Sequence, residues 1–271
     1  MVMAEQPAEG VGSLFFELAG DLRLSMLARL NERDYRLSQL ASELEATMQE
    51  AHRNMMRLID SGMVSKGKEG ELVLTSYGKT IVSLVPSYEF LYKNREFFLD
   101  HSLGDLPVKF VQRMGAFSGC EIVHGVMAIL QRWKTLYGET EQFIKEIMAQ
   151  VPLDLIETIS DRIDSGVKFS YIFSSNAVVP KGRTQLLQKV GWRNFISKGM
   201  VERRMVADVK VMAIFNEKQG CVMFPNQKGE SDLNVMFYGE SQEFLDWCSD
   251  FFDYHWRTAG TFDEGKLKRE V

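Results

Sequence analysis

The chain is poor in cysteine and proline, with three and six of them among its 271 residues. The cysteines, Cys120, Cys221 and Cys248, are far apart and odd in number, which excludes a disulfide framework and a paired zinc motif. Cys120 and His124 have the spacing of one helix face, but a structural zinc site normally needs four ligands. We therefore interpret them as a buried thiol and a partnered histidine.

Long hydrophobic runs are also missing. No stretch approaches the roughly 20 apolar residues of a membrane span. Residues 1–13 have neither the basic nor the apolar region of a signal peptide, so we expect a loose tail there. These absences predict a cytoplasmic protein without a membrane partner.

Catalytic signatures are absent as well. The sequence has no glycine-rich phosphate loop, no zinc-protease signature and no Gly-x-Ser-x-Gly motif. Its four histidines are scattered, and Asp161 and Asp164 around Arg162 have the pattern of solvated charges. We predict a protein that is not an enzyme and needs no cofactor or metal. An enzyme of unknown type is a weaker alternative, because it would need a catalytic cluster that the sequence does not display.

The strongest structural signal lies between Leu37 and Gly78, in a chain whose 45% hydrophobic and 25% charged residues are ordinary for a globular protein. Apolar residues at helical spacing predict a helix over 37–44, which Ser38 could cap. Thr47 and Glu50 form the capping box of a second helix, for which Gly62 is a suitable C-terminal residue. Two short strands, 63–66 and 71–74, follow around a glycine-containing tip. This order of elements is that of a winged helix-turn-helix.

The second helix is predicted to have one buried face and one solvent-exposed face. A rotation of about 100° per residue predicts one apolar face, made of Met48, Ala51, Met55, Leu58 and Ile59. The same rotation places the polar residues Gln49, Glu50, Arg53 and Arg57 on the opposite face. His52 lies beside the apolar residues, and we favour a core role for it over a phosphate contact.

Further helices are expected on both sides of this region. Residues 14–20 and 22–30 read as helical, with Asp21 as N-cap of the second. Residues 79–98 are unusually apolar, and Pro86 is expected to interrupt the helix there. This segment has more apolar surface than one small domain can cover. It therefore packs either on a partner subunit or on the C-terminal domain, and the sequence does not separate the two.

The remainder of the chain alternates helices with strands, which implies a sheet with covering helices. The predicted fold class is α+β: an N-terminal winged helix-turn-helix followed by a C-terminal α/β sheet domain. We expect a DNA-binding domain at 1–85, a helical connector and possible dimerisation element at 86–115, and a regulatory domain at 116–271. Run 141–149 is ambiguous between helix and strand, and 266–269 is expected to fray.

Several stretches resemble archaeal winged-helix transcription regulators, and the best match is the methanogenesis-regulator family. The resemblance rests on Phe15–Leu24, Thr47–Arg53 and Leu74–Gly78, and, between the domains, on Phe97–Leu103 and Leu106-Pro107. It is strong over residues 14–115 and looser afterwards. It implies a cytoplasmic, dimeric transcription regulator whose second domain senses a signal.

The C-terminal part is faintly similar to the phospholipase-D-like sensor domains of sugar-responsive archaeal regulators. That similarity lies in the strands and in Trp247, Phe251, Phe252 and Trp256. The catalytic His-x-Lys pattern of phospholipases is absent, so the similarity implies no hydrolase activity.

The polar face of the second helix and the hairpin tip carry groups suited to double-stranded DNA. Gln49 can pair with adenine and Arg53 with guanine, while Thr47 at the helix N-terminus suits a phosphate. Lys66 and Lys68 at the wing suit phosphate or the minor groove. The predicted DNA-binding residues are thus Thr47, Gln49, Glu50, Arg53, Arg57, Lys66 and Lys68.

Two alternatives stand beside the DNA hypothesis. Each charged residue can be a solvated surface group, and some winged helices bind only proteins. Up to residue 85, nine Lys/Arg face twelve Asp/Glu, a net charge of −3. Bulk electrostatics therefore cannot supply the affinity, which must come from a few groups, presented twice by a homodimer.

Between residues 162 and 218 the balance reverses, with eleven Lys/Arg against four Asp/Glu. One hypothesis is a pocket for an anionic small-molecule effector, lined by Trp192, Arg193, Arg203 and Arg204. The interpretation we favour is a basic surface that balances the acidic end of the chain.

Overall fold

A computed structural model describes residues 9–149 and 153–269. The chain divides into two compact units, Met1–Pro86 and Ser87–Val271, each with its own hydrophobic core. Helices combine with one large mixed sheet, so the predicted α+β class is confirmed. None of the helices in these two ranges is both long and apolar enough to cross a membrane. Most of the predicted N-terminal tail lies outside the described residues.

Unit 1 is a helical bundle with a β-hairpin. Its elements are α1 (Glu9–Leu18), α2 (Asp21–Glu32), α3 (Leu37–Glu43), α4 (Met48–Asp60), β1 (Val64–Lys66), β2 (Leu72–Leu74) and the start of α5 (Ser76–Lys93). The core takes apolar residues from one side of each helix and from both strands, among them Met26, Leu30, Leu40, Met55, Leu58 and Leu72. This is the predicted arrangement of a helix-turn-helix followed by a wing.

The wing is an antiparallel hairpin with a third short member. Val64 pairs with Leu74 and Lys66 with Leu72. Tyr35, between α2 and α3, forms a bridge to Leu72 through two backbone hydrogen bonds of 2.7 and 3.3 Å. The sequence did not reveal this bridge because a single paired residue has no periodicity.

Several local expectations in unit 1 are wrong. Met48 was placed in the core but is 53% exposed, and His52 is exposed as well. Helix α3 begins after Arg36, so Ser38 lies inside it, and Gly20 rather than Asp21 is the N-cap of α2.

Pro86 does not interrupt α5, which continues from Ser76 to Lys93. Proline lacks a backbone N–H and therefore costs the helix one internal hydrogen bond. The helix nevertheless continues past this position.

Unit 2 begins with the end of α5 and alternates short helices with strands. Its helices are α6 (Phe97–Asp100), α7 (Val108–Val111), α8 (Val126–Gly138), α9 (Ile156–Asp164), α10 (Arg183–Lys189), α11 (Trp192–Ser197) and α12 (Gln242–Thr258). Its strands are β3 (Glu121–His124), β4 (Phe143–Met148), β5 (Lys168–Ser174), β6 (Val178–Val179), β7 (Val201–Val206), β8 (Met212–Asn216), β9 (Gly220–Met223), β10 (Val235–Gly239), β11 (Gly260–Thr261) and β12 (Lys268–Arg269).

Eight of these strands form one mixed sheet in the order β11-β7-β5-β4-β8-β9-β10-β3. Strands β4, β5 and β7 are parallel. Helix α9 connects β4 to β5, and α10 with α11 connects β5 to β7, as parallel neighbours require a crossover connection. The other neighbours are antiparallel. The central strands β8 and β9 are buried on both faces, as expected for a sheet covered by helices.

The core of unit 2 is rich in aromatic rings. Phe117 contacts Trp247 edge to face, with ring centroids 4.8 Å apart, and Trp247 donates a hydrogen bond to the Phe110 carbonyl. Residues of the predicted connector 86–115, including Phe90 and Met114, belong to this same core.

Two segments of unit 2 were left open or are corrected by the structure. The run 141–149, which the sequence left ambiguous between helix and strand, contains strand β4. The tail expected to fray forms β12, which pairs in parallel with β6.

A buried carboxyl group lies between the sheet and helix α8. Glu146 on β4 is 5% exposed and accepts a 2.6 Å hydrogen bond from the Tyr137 hydroxyl on α8. Burial raises the pKa of Glu146 from 4.5 to about 7, although the hydrogen bond from Tyr137 acts in the opposite direction.

Because this pKa is higher in the folded state, the folded chain holds a proton that the unfolded chain has lost. The contribution of Glu146 to the free energy of unfolding is therefore full below pH 4.5 and declines by roughly 3 kcal/mol as pH rises to about 7. We expect Glu146→Gln to remove this decline, as measured by urea unfolding across that pH range.

Tyr137→Phe serves as the control, because it removes the hydrogen bond that favours the carboxylate. Its decline should extend to higher pH than in the wild type. A Glu146→Gln variant with the same pH dependence as the wild type would contradict the assignment.

Candidate nucleic-acid interface

Helix α4 begins with a complete capping box. Thr47 Oγ1 accepts from the Glu50 backbone N–H at 3.2 Å and donates to the Glu50 carboxylate at 2.8 Å. The same carboxylate accepts from the Thr47 N–H at 3.2 Å. These hydrogen bonds to Thr47, aided by the nearby Arg53, lower the pKa of Glu50. The two side chains therefore hold the start of the helix, and the Thr47 hydroxyl is occupied in this state.

The outer face of α4 is a mixed polar and apolar surface. Gln49 and Arg53 are exposed one turn apart, as predicted from the rotation of the helix. Next to them lie the exposed residues Met48, His52 and Met56. The sequence analysis had placed Met48 and His52 in the core and had made no prediction for Met56. We call these five residues the α4 face.

Arg57 is placed differently from the expectation of a free DNA contact. Its guanidinium donates two hydrogen bonds to the Glu17 carboxylate of α1, at 2.6 and 2.9 Å. It also lies over the ring of Phe16, 4.9 Å from the centroid. Arg57 thus joins α4 to α1 and does not belong to the α4 face.

Arg23 completes this junction between the helices. It is nearly buried and donates to the backbone carbonyls of Phe16 and Glu17 near the end of α1. It also donates to the Asn54 side chain of α4 at 3.1 Å. Two arginines therefore hold α1 against α2 and α4.

The wing presents two lysines at a tight tip. Lys66 ends β1 and Lys68 lies in the tip, and both are exposed. The Glu71 side chain lies against Gly67, and one of its carboxylate oxygens is 1.9 Å from where a Cβ at position 67 would lie. Gly70 has a φ of +83°, which glycine adopts without strain.

The charges of unit 1 divide into two groups. Four of its arginines are ion-paired within the unit: Arg23 and Arg57 with Glu17, Arg29 with Glu32, and Arg33 with Glu43. Within the described part of the chain, no carboxylate oxygen lies within 4.0 Å of Arg36, Arg53, Lys66, Lys68 or Lys79. These unpaired cations include Arg53, Lys66 and Lys68, which are exposed and which the sequence analysis predicted to contact DNA.

The structure does not bring the four predicted effector residues together. Arg203 and Arg204 are neighbours on β7 and therefore point to opposite faces of the sheet. Arg203 pairs with Glu264 at 2.7 Å, whereas Arg204 donates to the Trp256 carbonyl and lies over its ring. The expectation of one pocket lined by both arginines is corrected.

The other two predicted residues do share a cavity. Trp192 is buried and Arg193 exposed, and both line a cavity of about 350 Å³ together with Arg183 and Glu264. Sequence reasoning missed Arg183, whose only signal was the local excess of basic residues. Among the described residues, no group of three or more His, Cys, Asp or Glu side chains is arranged to hold a metal ion.

No protein-family model matches the chain, and no curated protein matches it. Among solved structures, the fold is similar to TrmBL2, an archaeal chromatin protein whose structure shows a novel mode of DNA binding. The identity is 13%, the match covers 95% of this chain and 100% of that one, and the TM-score is 0.43.

A second similar structure is Nuc from Salmonella typhimurium, a phospholipase D family member. The identity is 8%, the match covers 54% of this chain and 99% of that one, and the TM-score is 0.40. The protein PigF, solved with SAH, gives 13% identity, 75% and 66% coverage and a TM-score of 0.26. Likenesses this distant do not determine the family or function of this chain.

The capping box should contribute measurably to the stability of unit 1. Thr47→Ala removes the hydroxyl that satisfies an otherwise unpaired N–H of α4, and we expect a loss of about 1 kcal/mol in the free energy of unfolding. Urea unfolding followed by circular dichroism measures this. Thr47→Ser keeps the hydroxyl and should stay within about 0.5 kcal/mol of the wild type. Equal losses in the two variants would show that the cap contributes nothing.

Proposed function

We propose that the protein is a dimeric, sequence-specific DNA-binding transcription regulator. Helix α4 reads the major groove, the wing contacts the backbone or minor groove, and unit 2 responds to a small molecule or another signal. The observation that carries this proposal is the α4 face: Gln49 and Arg53 are exposed, and neither has a side-chain partner among the described residues, on a helix that is fixed at both ends. The capping box holds its start, and the Arg57–Glu17 pair holds its last turn.

The chemistry of the α4 face suits base edges. Arginine forms a bidentate contact with guanine and glutamine with adenine, and both side chains here extend from consecutive turns. Met48 and Met56 are 53% and 37% exposed, and such apolar side chains can contact the methyl group of thymine. A helix anchored in this way can present these groups without first losing much conformational freedom.

A second candidate function is a winged-helix module that binds protein and not DNA. The observation in its favour is the same pair of exposed methionines, because flexible apolar side chains are common at protein-binding surfaces. Salt dependence separates the two functions, since duplex binding through unpaired cations weakens steeply with added salt.

Dimerisation is proposed from one face of α5. Tyr77, Leu84 and Tyr88 are exposed, and spacings of seven and four residues place them within about 40° of each other around the helix. Ile81 lies on the same face and is half-buried. A contiguous apolar stripe of this kind is typical of a helix that packs against a partner, and the two-fold symmetry of a dimer would present two α4 helices to a palindromic site.

Arg53→Ala should weaken binding to the preferred duplex by about 1–3 kcal/mol and relax specificity at one base pair, because a bidentate base contact is lost. Selection from a random-sequence duplex library identifies the preferred site, and fluorescence anisotropy measures the affinity. Arg29→Ala is the matched control, since Arg29 belongs to the same unit but is paired with Glu32. The assignment fails if the two substitutions weaken binding equally, or if Arg53→Ala leaves the binding curve unchanged.

A double substitution, Leu84→Glu with Tyr88→Glu, should convert the dimer into a monomer without unfolding it, because both side chains are exposed in the single chain. Sedimentation velocity gives the oligomeric state and circular dichroism the folding. Ser83→Glu introduces a charge at least about 100° around α5 from these side chains and should leave the dimer intact. A wild-type chain that sediments as a monomer would rule out the α5 interface.

A further inference from the structure

Three polar side chains are buried together in unit 2 with unsatisfied atoms. Tyr171 on β5, Arg183 on α10 and Trp192 on α11 are 3%, 8% and 5% exposed. In residues 9–149 and 153–269, no hydrogen-bond partner is present for Tyr171 Oη, Arg183 Nε or Trp192 Nε1. Leaving a buried donor unpaired costs free energy, so this arrangement lowers the stability of the free protein.

The three side chains are close enough to influence one another. The rings of Tyr171 and Trp192 both lie beside Phe169, with centroids 5.2 and 5.9 Å from its ring centroid. Tyr171 and the Arg183 guanidinium both lie beside the Phe173 ring, at 6.2 and 6.0 Å from its centroid. Burial raises the pKa of Tyr171, while the positive charges of Arg203 and Arg183 act in the opposite direction. Tyr171, Arg183 and Trp192 therefore form one cluster, which we call the Arg183 cluster.

Arg183 forms no close ion pair in the described part of the chain. No carboxylate oxygen there lies within 4.0 Å of its guanidinium, which lies 6.0 Å from the centroid of the Phe173 ring. A buried charge without a partner is strongly unfavourable, and proteins normally pair such a charge or use it to bind an ion. The Arg183 guanidinium thus offers a positive charge and a hydrogen-bond donor, Nε, that no described residue pairs with.

A cavity of about 350 Å³ lies against this cluster. Arg183 and Trp192 line it together with the apolar side chains of Leu187 and Ile196, and Arg193 lies at its edge. This volume is at the lower end of the range for small-molecule sites. One wall offers a planar guanidinium fork, which matches carboxylate and phosphate, and another offers apolar surface.

Glu264 places an internal anion beside the cavity. It lines the cavity and pairs with Arg203 at 2.7 Å, and its side chain is 57% exposed. The hydrogen bond from Arg203 lowers the pKa of Glu264, and Arg183 and Arg193 act in the same direction. The three arginines therefore stabilise the negative charge of Glu264, and they would stabilise an anion that enters the cavity in the same way.

We infer that the Arg183 cluster and its cavity bind a small organic anion. A carboxylate or phosphate group would pair with Arg183, its apolar body would lie against Leu187 and Ile196, and Glu264 would compete with it for the arginines. This inference rests on the signal-responsive role proposed for unit 2. The cavity differs from the effector pocket expected from the sequence, because Arg204 does not line it.

Isothermal titration of the full chain with benzoate, phenyl phosphate and benzamide tests the inference. We expect saturable binding of at least one of the two anions, and the comparison between them separates carboxylate from phosphate recognition. Benzamide has the same apolar body without the charge and should not bind. The inference is overturned if neither anion binds saturably, or if benzamide binds as well as the anions.

Variants locate the site. Arg183→Gln should weaken anion binding at least about tenfold, and Glu264→Gln should tighten it because the internal competitor loses its charge. Arg132→Gln is the matched control, since Arg132 pairs with Glu121 on β3 at the opposite edge of the sheet and should leave anion binding unchanged. Equal affinity of Arg183→Gln and the wild type would overturn the inference.

Thermal unfolding distinguishes a binding role of Arg183 from a structural one. Removing a buried charge that forms no close ion pair should leave the melting temperature unchanged or raise it, whereas removing a structural arginine would lower it. If Arg183→Gln does not fold, Arg183→Lys keeps the charge but loses the planar fork, and it should fold and bind the anion more weakly. Arg183→Lys binding as tightly as the wild type would overturn the inference.

Duplex binding measured on the same samples separates this inference from the proposed function. Duplex binding without anion binding contradicts the Arg183 site alone. Anion binding without duplex binding supports the Arg183 site and contradicts the proposed DNA reader.

Discussion

The carboxylate of Glu17 is the contact on which the arrangement of the helices in unit 1 depends. It accepts two hydrogen bonds from Arg57 of α4 and lies 3.2 Å from Arg23 of α2, so one anion holds three helices. The hydrogen bond from Arg57 lowers the pKa of Glu17 even though partial burial opposes this. Arg23 adds hydrogen bonds to the end of α1 and to Asn54. With α4 fixed in this way, the orientation of its outer face is set before any partner binds.

Internal ion pairs also determine which charges of unit 1 are available to a partner. The acids that anchor helices are neutralised in place: Glu17, Glu32 and Glu43 each pair with an arginine. Within the described part of the chain, no carboxylate oxygen lies within 4.0 Å of Arg53 on the α4 face or of Lys66 and Lys68 on the wing, which also carries the exposed Glu69. The net charge of a domain is therefore a poor guide to its binding surface when part of that charge is used for internal contacts.

The sequence predicted the features that depend on local chemistry and missed those that depend on distant partners. The capping box of α4 was predicted correctly because its hydrogen bonds link residues three positions apart. Arg57 was misplaced because its partner Glu17 on α1 is 40 positions away in the sequence, where the periodicity of α4 gives no signal. The opposite directions of Arg203 and Arg204 follow from strand alternation and could have been predicted. The burial of Arg183 could not, because it lies at the start of a short helix without an apolar pattern.

We propose that unit 1 binds duplex DNA through a few unpaired cations, which a dimer presents twice. The salt dependence of duplex binding by the full chain is the sharpest test of this proposal. Three such cations in each subunit of a dimer give six phosphate or base contacts at most, so the plot of log K against log salt should have a slope of about −5. Replacing Lys66 and Lys68 by alanine should reduce this slope to about −2 while the oligomeric state is kept. The claim is contradicted if the wild type shows no duplex binding, or if the slope is the same with and without the two lysines.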